Sequence, residues 1–299
     1  MPTNRQDRTR STISARALPL TPRTQARNVM ATEYAALIAM VDQLTPPQWS
    51  AATDCTLWQV RDMLAHCAGA AEETVRFRTN LRHLLAAQRG LRRDTRGGPI
   101  PTVESKALVD CLGEVQIADR AALTDAELFT DLKQWAARSP DARLRTPSVL
   151  RRMKLPASSG LRPGSDLGYL LDVIGPRDVW MHRVDLSRAT GVPMAMSAGE
   201  SEVVAQVIRD LALDWDGPEF ELVLTGRGAG CWIVGAGPTK TVDAPSGRIS
   251  GHRLSVTADA VALLRLLSGR PGECVLDAQG DARVEQVVVE RLQSVRVAF

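Results

Sequence analysis

Hydrophobic side chains recur every three or four residues through about the first 210 positions, a spacing that places them on one face of a helix. The first such segment runs from Asn28 to Leu44. It stops before Pro46 and Pro47, because proline cannot continue a helix. The sequence therefore predicts a first helix over 28–44. Its apolar face contains Met30, Tyr34, Leu37, Ile38 and Val41.

A second helix is predicted to begin near Thr56 and Gln59, whose spacing is that of a capping box. Its periodic pattern continues past residue 71, so we expect the helix to extend through Leu81 towards Leu85. His66 lies on the apolar face of this helix and not among its charged residues. That face carries Leu57, Val60, Leu64, Cys67 and Ala71.

Three more helical segments follow: a long one from Val103 to Leu123, a shorter amphipathic one from Thr124 to Ala137, and a long one from about Asp166 to Thr190. Glycine, proline and serine predict loops over 89–101 and 139–165, and a loop as long as the second often shapes a site. Four long helices joined by loops predict an antiparallel four-helix bundle.

The pattern changes after about Asp214. Phe220–Thr225 and Cys231–Val234 are typical of two strands joined by a glycine-rich hairpin. Further strands are predicted over 239–244, within 248–256 and over 273–276, with helices over 258–268 and 282–295. The fold class is therefore α+β: a helical domain over 28–213 and a small α+β domain over 214–299.

Composition changes this picture little. Hydrophobic residues make up 44% of the chain and charged residues 24%, and the net charge of +3 does not argue for a nucleic-acid partner. Residues 1–27 are rich in arginine and predict a flexible basic tail, although a transit peptide has a similar composition. No apolar run approaches the roughly 20 residues that span a bilayer. We expect a cytoplasmic monomer or homodimer with no membrane partner.

The five cysteines are scattered and contain no CxxC pair, which argues against a disulfide framework and against a zinc–cysteine site. Of the four histidines, His83 and His252 have no acidic neighbour at a useful spacing and are interpreted as surface residues. Trp58 and Trp180 are interpreted as core side chains. Cys67 follows His66 directly and is interpreted as a small buried residue.

The remaining histidines carry the candidate chemistry. Asp178 and His182 are four residues apart, so on a helix their Cβ atoms lie about 5–6 Å from each other and both can reach one ion. A helix salt bridge explains this pair equally well, and His66 alone is typical of a hydrogen-bonded core histidine.

Together, two inward histidines and one carboxylate on facing helices are how a bundle builds a metal centre. They also leave the open coordination position of catalytic zinc. Zn(II) is the first expectation, with Ni(II), Fe(II) and Mn(II) as alternatives. Asp185 is expected either to orient His182 or to pair with Arg188.

Two motifs extend beyond these single residues. The stretch 54–66, DCTLWQVRDMLAH, resembles the second-helix motif of the mycothiol-dependent maleylpyruvate isomerase family, within the wider DinB-like metalloprotein superfamily. The stretch 177–186, RDVWMHRVDL, resembles the fourth-helix motif of that family. Gly230-Cys231-Trp232 and the run 261–270 resemble its C-terminal domain, which is similar in fold to sterol carrier proteins. The likeness covers roughly residues 28–295.

The resemblance implies that His66, Asp178 and His182 bind the metal. The family prototype has glutamate at the position of Asp178, so this chain carries the shorter acid. The resemblance further implies mycothiol as a thiol cosubstrate, a small electrophile as its partner, and Arg270 as the catalytic cleft arginine. The expected activity is isomerisation or S-transfer by a metal-activated thiolate. A binding protein with a structural metal site and a metal-dependent hydrolase remain as alternatives.

Overall fold

A computed structural model describes residues 13–55, 57–94, 107–235 and 254–299. The chain divides into two compact units. The helical unit comprises Thr21–Val203 together with Ala298–Phe299, and the sheet unit comprises Val204–Val297 together with the segment that ends at Leu20. The division falls inside one helix, Glu200–Asp214, which also contains the boundary predicted after residue 213.

The helical unit contains the long helices that the hydrophobic pattern predicts, with different limits. Short 3₁₀ segments at Pro46–Ser50 and Ala157–Ser159 lie between them. A π-helical segment, Leu170–Ile174, leads directly into the long helix that begins at Gly175. The helices are α1 (Arg23–Val41), α2 (Val60–Val75), α3 (Phe77–Asp94), α4 (Leu108–Ala118), α5 (Asp125–Arg145), α6 (Ser148–Arg151), α7 (Leu167–Tyr169), α8 (Gly175–Thr190) and the first residues of α9 (Glu200–Asp214).

One hydrophobic core joins α1, α2, α5 and α8, with Leu37, Leu64, Leu132 and Leu186 among its fully buried members. The segment predicted as a minor amphipathic helix is therefore α5, a main element of the core. The segment predicted as the third main helix is α4, which packs with α3 around a smaller cluster that includes Cys111. Both segments are amphipathic, and the local pattern does not say which of them faces the larger core.

The second predicted helix is two helices. α2 begins after Gln59, whose backbone N–H donates to the Asp62 carboxylate at 3.0 Å. α2 ends before Arg76, which has an extended backbone, and α3 begins at the next residue. The apolar pattern that predicts one long helix continues through α3. The predicted loop over 89–101 is therefore helical as far as Asp94. Thr56, which was predicted to open the second helix, lies outside the described residues.

The fourth predicted helix is confirmed at both ends. Asp166 accepts a hydrogen bond from the Tyr169 backbone N–H at 2.9 Å and so caps the start of α7. Gly191 ends α8 in the left-handed conformation, with φ of 74°, which glycine adopts without a steric penalty. The predicted loop over 139–165 is partly helical, because α5 continues through Pro140 to Arg145 and α6 follows it.

Residues 13–27 are folded, which corrects the prediction of a flexible tail for this part of 1–27. Ile13–Ser14 forms a strand, and α1 begins at Arg23 instead of Asn28. The arginines of the segment bind specific acceptors: Arg16 donates to the Leu213 carbonyl, Arg23 to the Thr146 carbonyl, and Arg27 to the Asp141 carboxylate at 2.8 Å. These arginines therefore hydrogen-bond to acceptors that are distant in sequence, and the contacts tie the segment to the folded chain.

The sheet unit contains a mixed five-stranded sheet. Its strands are β1 (Ile13–Ser14), β2 (Phe220–Thr225), β3 (Gly230–Val234), β4 (Ser255–Asp259) and β5 (Asp277–Gln279), and their order in the sheet is β1-β3-β2-β4-β5. β2 and β3 form the predicted antiparallel hairpin, whereas β1 runs parallel to β3 and β4 runs parallel to β2. Leu222 and Val256 are fully buried inward residues of neighbouring strands. The helices of this unit that follow α9 are α10 (Ala260–Leu267) and α11 (Ala282–Ser294).

Most predicted elements of the sheet unit are confirmed, including both closing helices. The strand expected over 273–276 is wrong, since the strand that pairs with β4 is Asp277–Gln279. The strand predicted over 239–244 lies outside the described residues. Among the described residues, no helix is both long and apolar enough to cross a bilayer.

Candidate metal centre

The three predicted ligands lie on two helices that share the core of the helical unit. His66 is in the middle of α2, Asp178 is in the first turn of α8, and His182 follows one turn later. The start of α8 has unusual local structure. Pro176 has no N–H to offer the preceding turn, and the Leu171 carbonyl instead accepts from the buried Arg143 guanidinium at 3.1 Å. The π-helical segment and Arg143 thus set where α8 begins.

The Asp178 carboxylate lies between the two imidazoles. Its Oδ2 is 3.3 Å from Nε2 of His66, and its Oδ1 is 3.2 Å from Nε2 of His182. One ligand atom from each residue falls within 4.8 Å of the others. The shorter acid at this position therefore reaches both histidines. The side chains of His66, Asp178 and His182 are 14%, 24% and 4% exposed, so the cluster is mostly buried but reaches the surface of the chain at Asp178.

Electrostatic attraction decides the charge state of this cluster in the absence of metal. Burial disfavours the Asp178 carboxylate, but His182 and His66 outweigh it and hold the pKa of Asp178 well below its usual range. Burial also opposes a charge on His182, yet Asp178 raises the pKa of His182 well above its usual range. A fixed negative charge beside two imidazoles is an environment that favours a cation.

The donor atoms fit a divalent metal ion. Nε2 of His182 is buried and has no hydrogen bond of acceptable geometry within the described chain, although Asp178 Oδ1 is close by. A metal ion would displace the Nε2 proton that Asp178 favours in the absence of metal, and would satisfy this buried nitrogen through its lone pair. Two imidazole nitrogens and one carboxylate are the protein ligands of many catalytic zinc sites, and the same set suits several other first-row metals.

Asp185 orients His182. It is completely buried, and its Oδ2 is 3.2 Å from Nδ1 of His182, on the ring edge opposite the cluster. A carboxylate that accepts Nδ1–H leaves Nε2 as the nitrogen that can bind a metal. Arg188, the alternative partner, pairs with Asp54 at 2.8 Å. Cys55 approaches the same Asp185 oxygen at 3.4 Å, so Cys55, Asp185 and His182 form a second group of potential ligands that shares His182 with the first.

Trp58 covers both imidazoles. Its ring centroid lies 5.0 Å from that of His66 and 6.0 Å from that of His182, and its side chain is only partly buried. Trp58 thus lies at the edge of the cluster, whereas Trp180 is fully buried as the sequence predicts. Cys67 is also fully buried, and burial raises the pKa of its thiol to about 12. The Cys67 thiol is therefore protonated at neutral pH and poorly suited to act as a nucleophile.

The structure brings together three of the four predicted site residues. Arg270 belongs to the sheet unit, immediately after α10, and its catalytic role remains a prediction. Its backbone N–H donates to the Arg265 carbonyl, and Gly269 donates to the Leu266 carbonyl, each at 3.0 Å. This pattern is the Schellman motif that commonly ends a helix.

The interpretation of His83 as a surface residue is wrong. Its side chain is completely buried, and its two ring nitrogens lie 2.7 Å from Glu73 and 2.7 Å from Asp119. Neither acid is at helical spacing from His83, so local sequence patterns could not reveal the cluster. His252 lies outside the described residues.

A sequence model of the family described as "Mycothiol maleylpyruvate isomerase N-terminal domain" matches residues 30–187, which include all three clustered residues. The chain belongs to this family. Two solved structures resemble the fold: the mycothiol-dependent maleylpyruvate isomerase, at 16% identity, and a histidine-to-alanine mutant of it, at 15%. Each has a TM-score of 0.48, with 90% of this chain and 96% of the other covered. No curated protein matches the sequence. The matched region of the family includes α2 and nearly all of α8, the two helices that supply the cluster.

Proposed function

We propose that this protein is a metal-dependent enzyme that adds the thiolate of a low-molecular-weight thiol, mycothiol, to a small electrophile. The observation that carries the proposal is the convergence of His66, Asp178 and His182 within the family domain. The family match supports mycothiol as the thiol. We further propose that the helical unit is a DinB-like bundle and that the sheet unit resembles sterol carrier proteins.

His66 and His182 would hold the metal through Nε2, and Asp178 through its carboxylate. Zn(II) suits this set best, with Ni(II), Fe(II) and Mn(II) as alternatives. A bound divalent cation would supply positive charge that favours the ionised form of a thiol, which is otherwise mostly protonated at neutral pH. Asp185 keeps His182 oriented, and Arg270 would bind a carboxylate of the substrate through its guanidinium.

The chemistry would follow from the electrophile. Addition of the sulfur to an activated double bond forms a C–S bond and leaves a single bond that can rotate. Elimination then breaks the C–S bond, returns the thiol and gives the cis–trans isomer. With a carbon that bears a leaving group, the C–S bond persists and the leaving group departs with the pair of electrons, so the outcome is S-transfer.

Metal analysis of the purified protein tests the first half of the proposal. We expect close to one divalent metal per parent chain, and a sharp loss in both His66→Ala and His182→Ala, because each removes one of three protein ligands. Arg188→Ala is a suitable control, since Arg188 pairs with Asp54 outside the cluster. Equal trace metal in all four proteins would exclude the metal centre.

Thiol dependence tests the second half. Turnover of an electrophile by the metal-loaded parent should require mycothiol and should disappear in His182→Ala. Hydrolysis without any thiol would favour a metal-dependent hydrolase. Binding of a small molecule that survives removal of the metal, with no turnover, would favour a non-enzymatic binding protein.

A further inference from the structure

A continuous set of hydrogen bonds leads away from His66 on the side opposite Asp178. Nδ1 of His66 lies 2.7 Å from Oε1 of Gln116 on α4. Nε2 of Gln116 donates to Oε1 of Glu73 at 2.7 Å, and the same oxygen lies 2.7 Å from Nδ1 of His83. Gln116 is 3% exposed and His83 is fully buried, so water has little access to these groups.

The carboxylate of Glu73 determines which way the Gln116 amide points. Its Oε1 lies 2.7 Å from Nδ1 of His83 and 2.7 Å from the Gln116 amide. Glu73 and Asp119 also raise the pKa of His83 despite its burial. A carboxylate oxygen only accepts, so the group of Gln116 that faces it is the NH₂ donor. The carbonyl oxygen of Gln116 therefore faces His66.

The orientation of Gln116 in turn determines the tautomer of His66. A carbonyl oxygen can only accept, so Nδ1 of His66 must carry the proton that joins the two groups. In the neutral imidazole, the lone pair then resides on Nε2, the atom that lies next to Asp178. The position of Glu73 therefore determines, through Gln116, that Nε2 is the nitrogen of His66 that can bind a metal.

The packing of α2 against α4 is built for this contact. A Cβ atom on Gly69, one turn after His66, would lie 2.5 Å from Cβ of Gln116. A Cβ atom on Gly113, one turn before Gln116, would lie 3.0 Å from the Trp58 ring and 3.6 Å from Nδ1 of His66. Two glycines on facing helices therefore allow the approach that the His66–Gln116 hydrogen bond requires.

We propose that Gln116 is a positioning residue for the metal centre: held by Glu73, it accepts the Nδ1 proton of His66 and so presents Nε2 of His66 to the metal ion. This inference rests on the proposed function, since it requires that His66 binds metal. Gln116 itself touches neither metal nor substrate. Its role towards His66 matches that of Asp185 towards His182, although the acceptor is a neutral amide.

Zn(II) affinity of Gln116 variants, measured by competition with a chromophoric chelator, tests the inference. Gln116→Met keeps the side-chain volume but removes the acceptor, and affinity should fall by about 10- to 100-fold, the usual effect of losing such a partner. Exchanging the acid and the amide, in the double variant Glu73→Gln with Gln116→Glu, keeps an acceptor at Nδ1 and a donor between the two side chains, and should retain most of the affinity. Gln134→Met, the same change at an exposed position of α5, should bind like the parent.

A spectroscopic measurement separates positioning from general damage to the fold. In the Zn(II)-loaded parent labelled with ¹⁵N-histidine, His66 should show a protonated Nδ1 and a metal-bound Nε2. In Gln116→Met the Nδ1 proton should exchange faster with water, because its acceptor is gone. If Gln116→Met does not fold, the parent spectrum still tests the inference, because a metal-bound Nδ1 of His66 would overturn it.

The outcomes distinguish the inference from the function on which it rests. A parent chain that binds no Zn(II) contradicts both. A parent that binds Zn(II), with Gln116→Met within twofold of it or with Nδ1 of His66 as the metal-bound nitrogen, overturns the role of Gln116 alone.

Discussion

At the scale of single residues, the candidate centre consists of three proposed metal ligands and of the groups that contact them. The proposed ligands could be predicted from the sequence, because Asp178 and His182 are four residues apart on one helix and His66 lies in the second-helix motif that resembles the family. Each imidazole also has a hydrogen-bond partner at Nδ1, and only one of these two partners could be predicted from the sequence. Asp185 is three residues from His182 and could be proposed from spacing, whereas Gln116 is fifty residues from His66 and could not.

Asp185→Asn should weaken metal binding. The substitution keeps the shape of the side chain but removes the charge that accepts Nδ1–H of His182, so Zn(II) affinity should fall about tenfold or more. Arg188→Ala is the matched control on the same helix, because Arg188 binds Asp54 and should leave affinity unchanged. A loss in the Arg188 variant equal to that in the Asp185 variant would show that the pairing of Asp185 with His182 is not what matters. The measurement is the same chelator competition.

At the scale of secondary structure, the sequence predicts where apolar faces exist but not which faces meet. The continuous helical segment from α7 to α8 is predicted nearly to the residue, because Asp166 marks its start and Gly191 its end. α5 was expected to stop at Ala137 because Ser139 and Pro140 disfavour helix, yet it continues to Arg145. Tertiary contacts override that local preference: Ser139 is buried and hydrogen-bonded to Arg143, whose guanidinium in turn binds the Leu171 carbonyl.

Gly69→Ala should destabilise the protein even though alanine is the better helix former. Alanine favours a helix over glycine by about 1 kcal/mol, but the new Cβ would lie 2.5 Å from Cβ of Gln116, and overpacking costs about 1–3 kcal/mol. Gly90→Ala is the matched control, since it is helical and exposed, and its nearest neighbour is Cys111 Sγ at 3.9 Å. In urea unfolding, we expect the free energy of unfolding to fall for Gly69→Ala and to rise slightly for Gly90→Ala. Gains of equal size would contradict the close approach of α2 and α4.

At the scale of the whole molecule, the sequence predicts the α+β class and a helical region before a sheet-containing region. It does not predict that Ile13–Ser14 completes the sheet, because a strand of two residues has no period to detect and its partner, Trp232–Ile233, lies near the other end of the chain. Nor does the sequence predict that His83 is buried between two acids, because these partners come from α2 and from the end of α4. Long-range pairing is the information that a single sequence lacks.

The buried His83 should make the stability of the helical unit depend on pH. It faces Glu73 from α2, Asp119 from the end of α4 and Arg82 from its own helix, and the two acids raise its pKa despite burial. A folded-state pKa above the unfolded value of about 6.5 means that protonated His83 stabilises the fold fully below that pH. The contribution is lost as the pH rises through the raised pKa.

The measurement compares the parent with His83→Gln in urea unfolding between about pH 6 and pH 9, with a chelator present to remove metal. The free energy of unfolding of the parent should exceed that of the variant most at the acidic end of this range, and the difference should narrow as the pH rises. A difference that stays constant, or grows with pH, would mean that His83 is neutral in the folded protein.

The pairing of β1 with β3 has a consequence for biosynthesis. The ribosome makes Ile13 and Ser14 before the helices α1 to α8, and Gly230–Val234 only after them. During that interval β1 has no partner, so the residues of α1, α2, α5 and α8 can fold in the nascent chain before the sheet closes. Because closing a longer loop costs more entropy, the β1–β3 ladder should form late and open early, and its amides should exchange with solvent sooner than those between β2 and β4.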